Sequence, residues 1–310
     1  MIVTVTPNTC LDRTLVVPEF TINKTIRAGN WAIGMGGKAA DASWILGEYG
    51  LPSIALGFKA GITGLQMEQM LQSRRVQTDF TEVDGETRLN TVIVMEDGSG
   101  QSTFSVSSLI VRPTHIHDLE TRYESILEQA DCVVIGGTLP AGVSDELFFK
   151  LIARARKRQI PVIFDASGSA LRKGLEAKPT LVKPNRDELE EFTGRRLNSL
   201  TDIHLAGKEI QAVYGCSVVV TLGGDGTLAV LPERDWLIPV LPVDVVSTAG
   251  AGDGMLAGMA AALSSGRPME EGLRLGSAMA GAVCMQLATA DCRKADIEAL
   301  SSKVQLVPFA

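Results

Sequence analysis

Residues 248–253 combine a glycine-rich turn with one carboxylate. The valines before this turn predict a strand that leads into it, and the small residues after it predict a helix that begins at once. Successive backbone N–H groups at a helix N-terminus form an anion hole, expected here over Gly250, Ala251 and Gly252. Asp253, at the rim, could accept the proton of an alcohol while these amides hold charge on a transferring phosphoryl group. A plain glycine turn with Asp253 as a helix cap is the alternative.

Three further strand ends carry groups that suit a nucleotide or a substrate oxygen. In LVKPNRDE, the spacing of Lys183, Asn185 and Glu188 could hold polyphosphate oxygens and, through water, a Mg²⁺ ion. VTLGGDG places a glycine turn after a strand, where backbone can lie against a nucleotide. GGTLPAG can present backbone donors to a substrate oxygen. Taken singly, the first two patterns also fit a solvated helix face and a plain hairpin.

The stretch GMGGKAAD, at 34–41, imitates a dinucleotide-binding fingerprint without its context. No continuous apolar run precedes Gly34, and no carboxylate ends the next strand-like run, SIALGFKAG, to meet a ribose. We therefore expect no nicotinamide or flavin site. Lys38 instead indicates a phosphate or a sugar oxygen at the N-terminus of the following helix.

The composition narrows the class of protein. The 310 residues are 45% hydrophobic and 21% charged, which suits one large α/β domain or a domain with a smaller appendage. The formal charge of −7, without a basic cluster, argues against nucleic acid as a partner. Five scattered cysteines and three histidines argue against disulfides and a transition-metal site. Neither a signal peptide nor a membrane-spanning stretch is visible, so we expect a cytoplasmic protein without a membrane partner.

Apolar runs alternate with amphipathic segments along the chain. This alternation predicts an α/β fold with a doubly wound, mostly parallel sheet and helices on both faces. The expected buried strands are at 2–5, 53–57, 132–137, 161–166, 180–185 and 218–224. We find no internal repeat or linker, so we expect a single domain over residues 1–310.

Two segments, 12–33 and 86–108, break this pattern. They alternate polar with apolar residues and contain the hairpin signal EDGSG, which predicts a small, largely antiparallel sheet outside the main one. Such a sheet, inserted at the carboxyl ends of parallel strands, would cover the crevice where α/β proteins bind ligands, so we interpret it as a lid. Its exposed apolar face predicts a homodimer through the lid.

In their order along the chain, seven stretches resemble the PfkB family of ribokinase-like carbohydrate kinases. They are TPNTCLD, GGKAAD, GETRLN, GGTLPAG, KPNRDE, TLGGDG and TAGAGDG. The similarity is strongest to the 1-phosphofructokinase and tagatose-6-phosphate kinase group. It implies a lidded, ribokinase-like fold and ATP-dependent phosphorylation of fructose 1-phosphate, fructose 6-phosphate or tagatose 6-phosphate. A kinase for an unphosphorylated sugar or a nucleoside, and a non-catalytic sugar or nucleotide sensor, stay open as alternatives.

The resemblance also implies roles for individual residues. Asp253 would deprotonate the sugar hydroxyl, while Asn185 and Glu188 would place a Mg²⁺-bound ATP with Lys183 near its phosphates. The turn implied to bind the nucleotide contains Thr221, Gly223, Gly224 and Gly226. The residues implied to contact the sugar or its phosphate are Asp12, Arg27, Gly36, Gly37, Lys38, Asp41, Arg88, Asn90 and Thr138. A monovalent cation near the anion hole is a further expectation.

The chain departs from the family pattern GGKGxN, which reads GGKAAD here. Ala39 stands for glycine and Asp41 for asparagine. Asparagine donates and accepts hydrogen bonds, whereas an ionised aspartate only accepts and adds charge near the substrate phosphate expected at Lys38 and Arg88. We expect Asp41 to bond a sugar hydroxyl and select its stereochemistry. The alternative is a carboxylate that merely favours the helix dipole.

Overall fold

A computed structural model of the chain describes residues 1–309, which contain ten α-helices and seventeen strands. The helices are α1 (Lys38–Tyr49), α2 (Gly61–Ser73), α3 (Pro113–Ile126), α4 (Glu146–Lys157), α5 (Gly168–Glu176), α6 (Arg186–Thr193), α7 (Leu200–Tyr214), α8 (Ala251–Ser264), α9 (Met269–Cys284) and α10 (Lys294–Ser301). The strands are β1 (Ile2–Thr6), β2 (Cys10–Val17), β3 (Asn30–Gly36), β4 (Ser53–Lys59), β5 (Gln77–Thr78), β6 (Thr81–Glu82), β7 (Asp84–Gly85), β8 (Arg88–Met95), β9 (Gln101–Phe104), β10 (Leu109–Ile110), β11 (Cys132–Gly136), β12 (Val162–Asp165), β13 (Leu181–Val182), β14 (Ser217–Thr221), β15 (Thr227–Val230), β16 (Asp235–Ile238) and β17 (Val307–Phe309). Within residues 1–309, none of the helices has the length and apolar character needed to cross a membrane.

The central sheet has the strand order β17-β16-β15-β14-β13-β12-β11-β1-β4-β5, with β6 also paired to β4. From β14 to β5 all neighbours are parallel, whereas β15, β16 and β17 add an antiparallel edge. The predicted doubly wound, mostly parallel sheet is therefore confirmed. The antiparallel edge was not foreseen.

Helices cover both faces of this sheet, which explains its continuous apolar strands. In β11, Cys132 and Val134 pack in the core shared with α1, α8 and α9, while Val133 and Ile135 pack in the core shared with α4, α5 and α7. A strand buried on both faces has no polar alternation. The predicted strand at 180–185 is shorter than expected, since β13 ends at Val182.

A second sheet of four strands has the order β3-β2-β8-β9. The two outer pairings are antiparallel, as expected, but the central pairing of β2 with β8 is parallel. The sheet also reaches beyond segment 12–33, because β2 begins at Cys10 and β3 ends at Gly36. We call β2, β3, β8 and β9 the lid sheet; its movement as a lid and the single-domain organisation stay predictions.

The predicted strand that leads into the turn at 248–253 is wrong. Residues 245–250 belong to no strand. The side chains of Val245 and Val246 are 60% and 45% exposed, and the amide of Val246 donates to the carbonyl of Cys284 at 2.8 Å. Two adjacent valines favour a strand because their side chains are β-branched. Here, however, Val246 donates its hydrogen bond to the end of α9 and not to a neighbouring strand.

Candidate active site

The carboxyl ends of five parallel strands bring the predicted site residues to one edge of the central sheet. These strands are β1, β11, β12, β13 and β14. The stretches GGTLPAG, KPNRDE and TLGGDG lie at or just after the ends of β11, β13 and β14. Open α/β sheets bind ligands at this edge.

The turn before α8 is built around Gly250. Its φ of 86° is left-handed, and a Cβ there would lie 2.4 Å from a backbone nitrogen of a neighbouring loop, so only glycine fits. The amides of Ala251 and Asp253 bond back within the turn. In residues 1–309, the amides of Gly250 and Gly252 donate to no acceptor. Two free N–H groups therefore remain for an anion, and their role as an anion hole stays a prediction.

An aspartate that the sequence analysis missed organises the charges beside this turn. Asp165 ends β12, is 1% exposed, and forms ion pairs with the ammonium groups of Lys38 at 2.5 Å and Lys183 at 2.8 Å. Burial alone would raise the pKa of Asp165, but Lys183 and Lys38 outweigh it and lower that pKa. The missed signal was an acid at the carboxyl end of a buried strand.

In the structure, Lys38 and Arg88 have different hydrogen-bond partners. The ammonium of Lys38 pairs with Asp165 and, at 2.9 Å, with Glu188. Burial opposes its charge, yet these two carboxylates hold the pKa of Lys38 above its ordinary value. The guanidinium of Arg88 instead donates to Ser105 Oγ at 2.8 Å. A common contact of Lys38 and Arg88 with a substrate phosphate stays a prediction.

Asn185 and Glu188 cap the N-terminus of α6 reciprocally. Asn185 Oδ1 accepts from the Glu188 amide at 2.8 Å, and Glu188 Oε2 accepts from the Asn185 amide at 2.9 Å. Residues 1–309 contain no cluster of three or more acids, histidines or cysteines that could hold a metal directly. The residues present therefore fit a Mg²⁺ ion carried by nucleotide phosphates and reached through water, which is how Mg²⁺ is usually bound.

A cleft of about 640 Å³ lies beside the start of α8. It is lined by all six residues expected to bind the nucleotide, namely Lys183, Asn185, Thr221, Gly223, Gly224 and Gly226. The opposite lining is apolar and consists of Ile238, Pro239, Val240, Leu241, Val243, Val245 and Met255, with small residues of α9. The sequence analysis missed this apolar wall because the segment after β16 carries no motif.

Asp12 and Asn90 meet on adjacent strands of the lid sheet. They are direct neighbours in the register of β2 and β8, and Asn90 Nδ2 donates to Asp12 Oδ1 at 2.8 Å. A Cβ at Gly36 would lie 2.7 Å from this Oδ1, which explains the glycine. Both polar side chains are buried, and burial raises the pKa of Asp12.

The other predicted sugar contacts differ in their surroundings. Gly37 is the N-cap of α1 with a φ of 95°, and the hydroxyl of the exposed Thr138 accepts from Asn8 Nδ2 at 2.9 Å. Arg27 lies in the exposed loop between β2 and β3. Asn8 and Thr138 are thus brought together, whereas Arg27 stands apart.

Asp41 lies beside Asp253, where α1 packs against α8. Asp41 is 3% exposed, and Asp253 is partly buried. Burial and the charge of Asp165 raise the pKa of Asp253 to about 7. Burial and the charges of Asp253 and Asp12 raise the pKa of Asp41 well above its ordinary value.

Comparison with known proteins assigns the family. Residues 3–296 match the profile described as pfkB family carbohydrate kinase. The 1-phosphofructokinase of Escherichia coli strain K12 is 32% identical over 308 residues, which cover 99% of this chain and 98% of that protein. The tagatose-6-phosphate kinase of Staphylococcus epidermidis is 25% identical over 316 residues, which cover 99% of each chain.

A solved structure agrees with this assignment. Escherichia coli phosphofructokinase-2, solved in complex with potassium, matches with a TM-score of 0.86 at 28% identity, over 97% of this chain and 98% of that chain. The same protein was also solved as a tetrameric inhibited form, with a TM-score of 0.87 at 29% identity over the same shares of the two chains. The chain thus belongs to the pfkB family and is an ATP-dependent carbohydrate kinase.

Proposed function

We propose that this kinase transfers the γ-phosphoryl group of ATP to a hydroxyl of fructose 1-phosphate, fructose 6-phosphate or tagatose 6-phosphate. The observation that carries the proposal is the position of Asp253. It stands in the first turn of α8, which packs against α1, and the charges of Asp165, Lys183 and Lys38 act on it. The names of the two relatives, a 1-phosphofructokinase and a tagatose-6-phosphate kinase, support a sugar phosphate as substrate.

Asp253 suits the role of general base. A base works best when its pKa lies near the working pH, because it is then both ionised and able to hold the proton. Loss of solvent and the charge of Asp165 raise the pKa of Asp253 to about 7, while Lys183 and Lys38 limit the rise. Asp253 can therefore take the proton of a sugar hydroxyl at neutral pH.

The charge on the transferring phosphoryl group meets donors beside Asp253. The free amides of Gly250 and Gly252 supply two of them. A Cβ at Gly252 would lie 3.3 Å from Lys183 Nζ, so the ammonium is close to the same turn. Phosphoryl transfer needs positioning and electrostatic stabilisation more than covalent chemistry, and these groups supply both.

The cleft beside α8 suits ATP. Its apolar wall can pack on the flat base, and the glycines at 223–226 leave backbone open to the nucleotide. Mg²⁺ would neutralise phosphate charge when bound, and Asn185 and Glu188 would hold it through water. We also propose a monovalent cation near the anion hole, by analogy with the phosphofructokinase-2 solved with potassium.

Arg88 supports a substrate that already carries a phosphate. Its Nε is buried and donates to no group of residues 1–309, which leaves one strong donor for an anion. Asp12 and Asn90 would meet sugar hydroxyls beside it. One observation favours the alternative, an unphosphorylated sugar or nucleoside: Lys38 is engaged by Asp165 and Glu188, so fewer cations remain for a substrate phosphate.

ADP release measured with ATP and a panel of acceptors tests the proposal. The panel contains the three hexose phosphates, their unphosphorylated sugars and a nucleoside, and Asp253→Asn serves as the background control. We expect turnover with at least one hexose phosphate and little with the other acceptors. Turnover confined to unphosphorylated acceptors would replace the proposal by its alternative.

We also propose a homodimer through the lid sheet. Trp31 and Phe104, on its outer strands, are 63% and 54% exposed, and Phe20 packs beside Phe104 with its own ring 52% exposed. Apolar clusters of this kind are usually covered by a partner. Analytical ultracentrifugation at micromolar concentration should show a dimer that Trp31→Glu weakens. A monomeric wild-type protein would contradict it.

A further inference from the structure

The hairpin of β8 and β9 joins the lid sheet to the turn before α8. Gln101, the first residue of β9, directly follows the hairpin signal EDGSG. Its side-chain Oε1 accepts from the backbone amide of Thr248 at 3.1 Å and from Ser247 Oγ at 3.3 Å. These two hydrogen bonds reach the segment that leads into the turn around Gly250.

Gln101 lies on the face of the lid sheet that carries two of the expected sugar contacts. In the register of the sheet, Asp12 stands opposite Asn90 on β8, and Gln101 stands opposite Val94 on the same strand. Asn90 and Val94 are four positions apart, and side chains an even number of positions apart on a strand share a face. The hydrogen bonds of Gln101 are therefore made on the side of Asp12 and Asn90.

Thr248 connects Gln101 to the start of α8. Its amide donates to Gln101, and its carbonyl accepts from the amide of Ala251, the first residue of α8, at 3.2 Å. The free amides of Gly250 and Gly252 stand on either side of Ala251 along the chain. A displacement of Thr248 would therefore move the two amides expected to hold the transferring phosphoryl group.

The other contacts of this segment come from α9 and the loop after it. The amides of Val246 and Ser247 donate to the carbonyl of Cys284, at 2.8 and 3.3 Å. The carbonyl of Ala249 accepts from the amide of Ala290 at 3.1 Å. Residues 245–250 belong to no strand, so these bonds stand in place of sheet pairing. Gln101 adds a contact from the lid sheet to this segment.

We propose that Gln101 is a positioning residue for phosphoryl transfer, which holds the turn before α8 in its reactive geometry through Thr248 and Ser247. The inference rests on the proposed role of this turn as an anion hole. Because Asp12 and Asn90 belong to the same sheet, a bound sugar that holds the lid sheet in place also holds the turn. Gln101 acts through the turn and needs no contact with the sugar or with ATP.

Hydrogen–deuterium exchange tests the contact without turnover. Peptides that cover residues 245–250 report the amide of Thr248, an exposed residue whose N–H is bonded to Gln101. We expect Gln101→Ala to speed the exchange of this amide about 2- to 10-fold, as expected for the loss of a neutral hydrogen bond. Unchanged exchange would overturn the proposal.

Two further variants serve as controls for the exchange. Gln101→Glu keeps an oxygen that accepts both hydrogen bonds, so exchange over residues 245–250 should stay near that of the wild type. Ser102→Ala removes the exposed polar side chain of the next residue, on the opposite face of β9, and should also leave the exchange unchanged. If either variant exchanged as fast as Gln101→Ala, Oε1 would not be the group that holds the amide, and the proposal would be overturned.

Steady-state kinetics separate positioning from a purely structural role. With the acceptor of highest turnover in the panel above, Gln101→Ala should lower kcat about 3- to 10-fold, while the Kd for ATP changes less than about twofold. If Gln101 only stabilised the lid sheet, the KM for the acceptor would rise and kcat would be kept. That result, or an equal loss of kcat in Ser102→Ala, would overturn the proposal.

The two proposals fail separately. The kinetics use whichever acceptor the kinase phosphorylates, so turnover confined to unphosphorylated acceptors would overturn the proposed substrate, while the kcat of Gln101→Ala still decides the role of Gln101. A hexose-phosphate kinase whose kcat is unaffected by Gln101→Ala would overturn only the role of Gln101.

Discussion

Asp165 and Asp41 both influence Asp253 and carry opposite electrostatics. They are the same residue type and are 1% and 3% exposed. Two ammonium groups surround Asp165, and its pKa is lowered. Other carboxyl groups surround Asp41, and its pKa is raised. Neighbouring charge, rather than burial or residue type, therefore sets the direction in which each pKa moves.

This contrast divides the site into two halves. Under the proposed function, the nucleotide half contains Lys38, Lys183, Asp165 and Glu188, whose charges are paired with one another. The sugar half contains carboxyl groups whose burial disfavours their charge. Asp253 belongs to both, which explains a pKa between the two extremes.

The largest expected effect comes from removing the carboxylate of the nucleotide half. Asp165→Asn leaves Lys38 and Lys183 close together without their common partner. Breaking a buried ion pair in this way costs about 3–5 kcal/mol of unfolding free energy. Asp41→Asn is the matched control, because burial and nearby carboxyl groups disfavour the charge of Asp41, and it should cost less than about 1 kcal/mol by comparison.

Urea unfolding at pH 8 measures both variants. Equal losses of unfolding free energy in the two variants would contradict the proposed difference between Asp165 and Asp41. A larger loss for Asp41→Asn than for Asp165→Asn would reverse the assignment of charged and neutral groups.

The pH dependence of stability gives a smaller effect with a defined sign. The pKa of Asp253 is about 7 when folded and about 4 when unfolded, so the folded state binds more protons between these values. Stability from this group is therefore lost as pH rises from about 4 to 7, by up to about 1.4 kcal/mol per pH unit. The contribution of Asp165 to stability has the opposite pH dependence. Its lowered pKa adds stability that is lost only as pH falls.

Unfolding free energies of the wild type and Asp253→Asn, measured at several pH values between 5 and 8, check this sign. The wild-type curve should fall more steeply with pH than that of the variant. Parallel curves would mean that the folded protein does not raise the pKa of Asp253.

The smallest expected effect is confined to the sugar half. Arg88→Ala removes a charged donor worth about 1.5–3 kcal/mol, or about 10- to 100-fold in KM for a phosphorylated sugar. KM for ATP should stay unchanged. Arg13→Ala, an exposed arginine on β2, is the control. An unaltered sugar KM would favour the unphosphorylated acceptor.

Much of the fold could be predicted because its causes are local. Continuous apolar strands such as IVTVT and CVVIG indicated a sheet buried on both faces. The glycine turn before α8 was visible because Gly250 must adopt a positive φ. The strand wrongly predicted at Val245 and Val246 has a non-local cause. Strand propensity cannot show whether a partner strand is present.

The partners of long side chains could not be predicted. Lys38 was expected to face a substrate phosphate, but its ammonium reaches Asp165, 127 positions away in the chain. Asp41 was recognised as a departure, yet its position beside Asp253 depends on the packing of two helices. Sequence patterns thus identified residues that the structure brings to one edge of the sheet, whereas the pairing of their charges is a tertiary property.

Asp253→Asn tests the central claim most directly, with ATP binding and turnover measured on one preparation. The substitution removes the proton acceptor but leaves the free amides of Gly250 and Gly252 in place. We expect kcat to fall about 10²- to 10⁴-fold while the Kd for ATP changes less than about twofold. A variant with kcat near that of the wild type would contradict the role of Asp253 as general base.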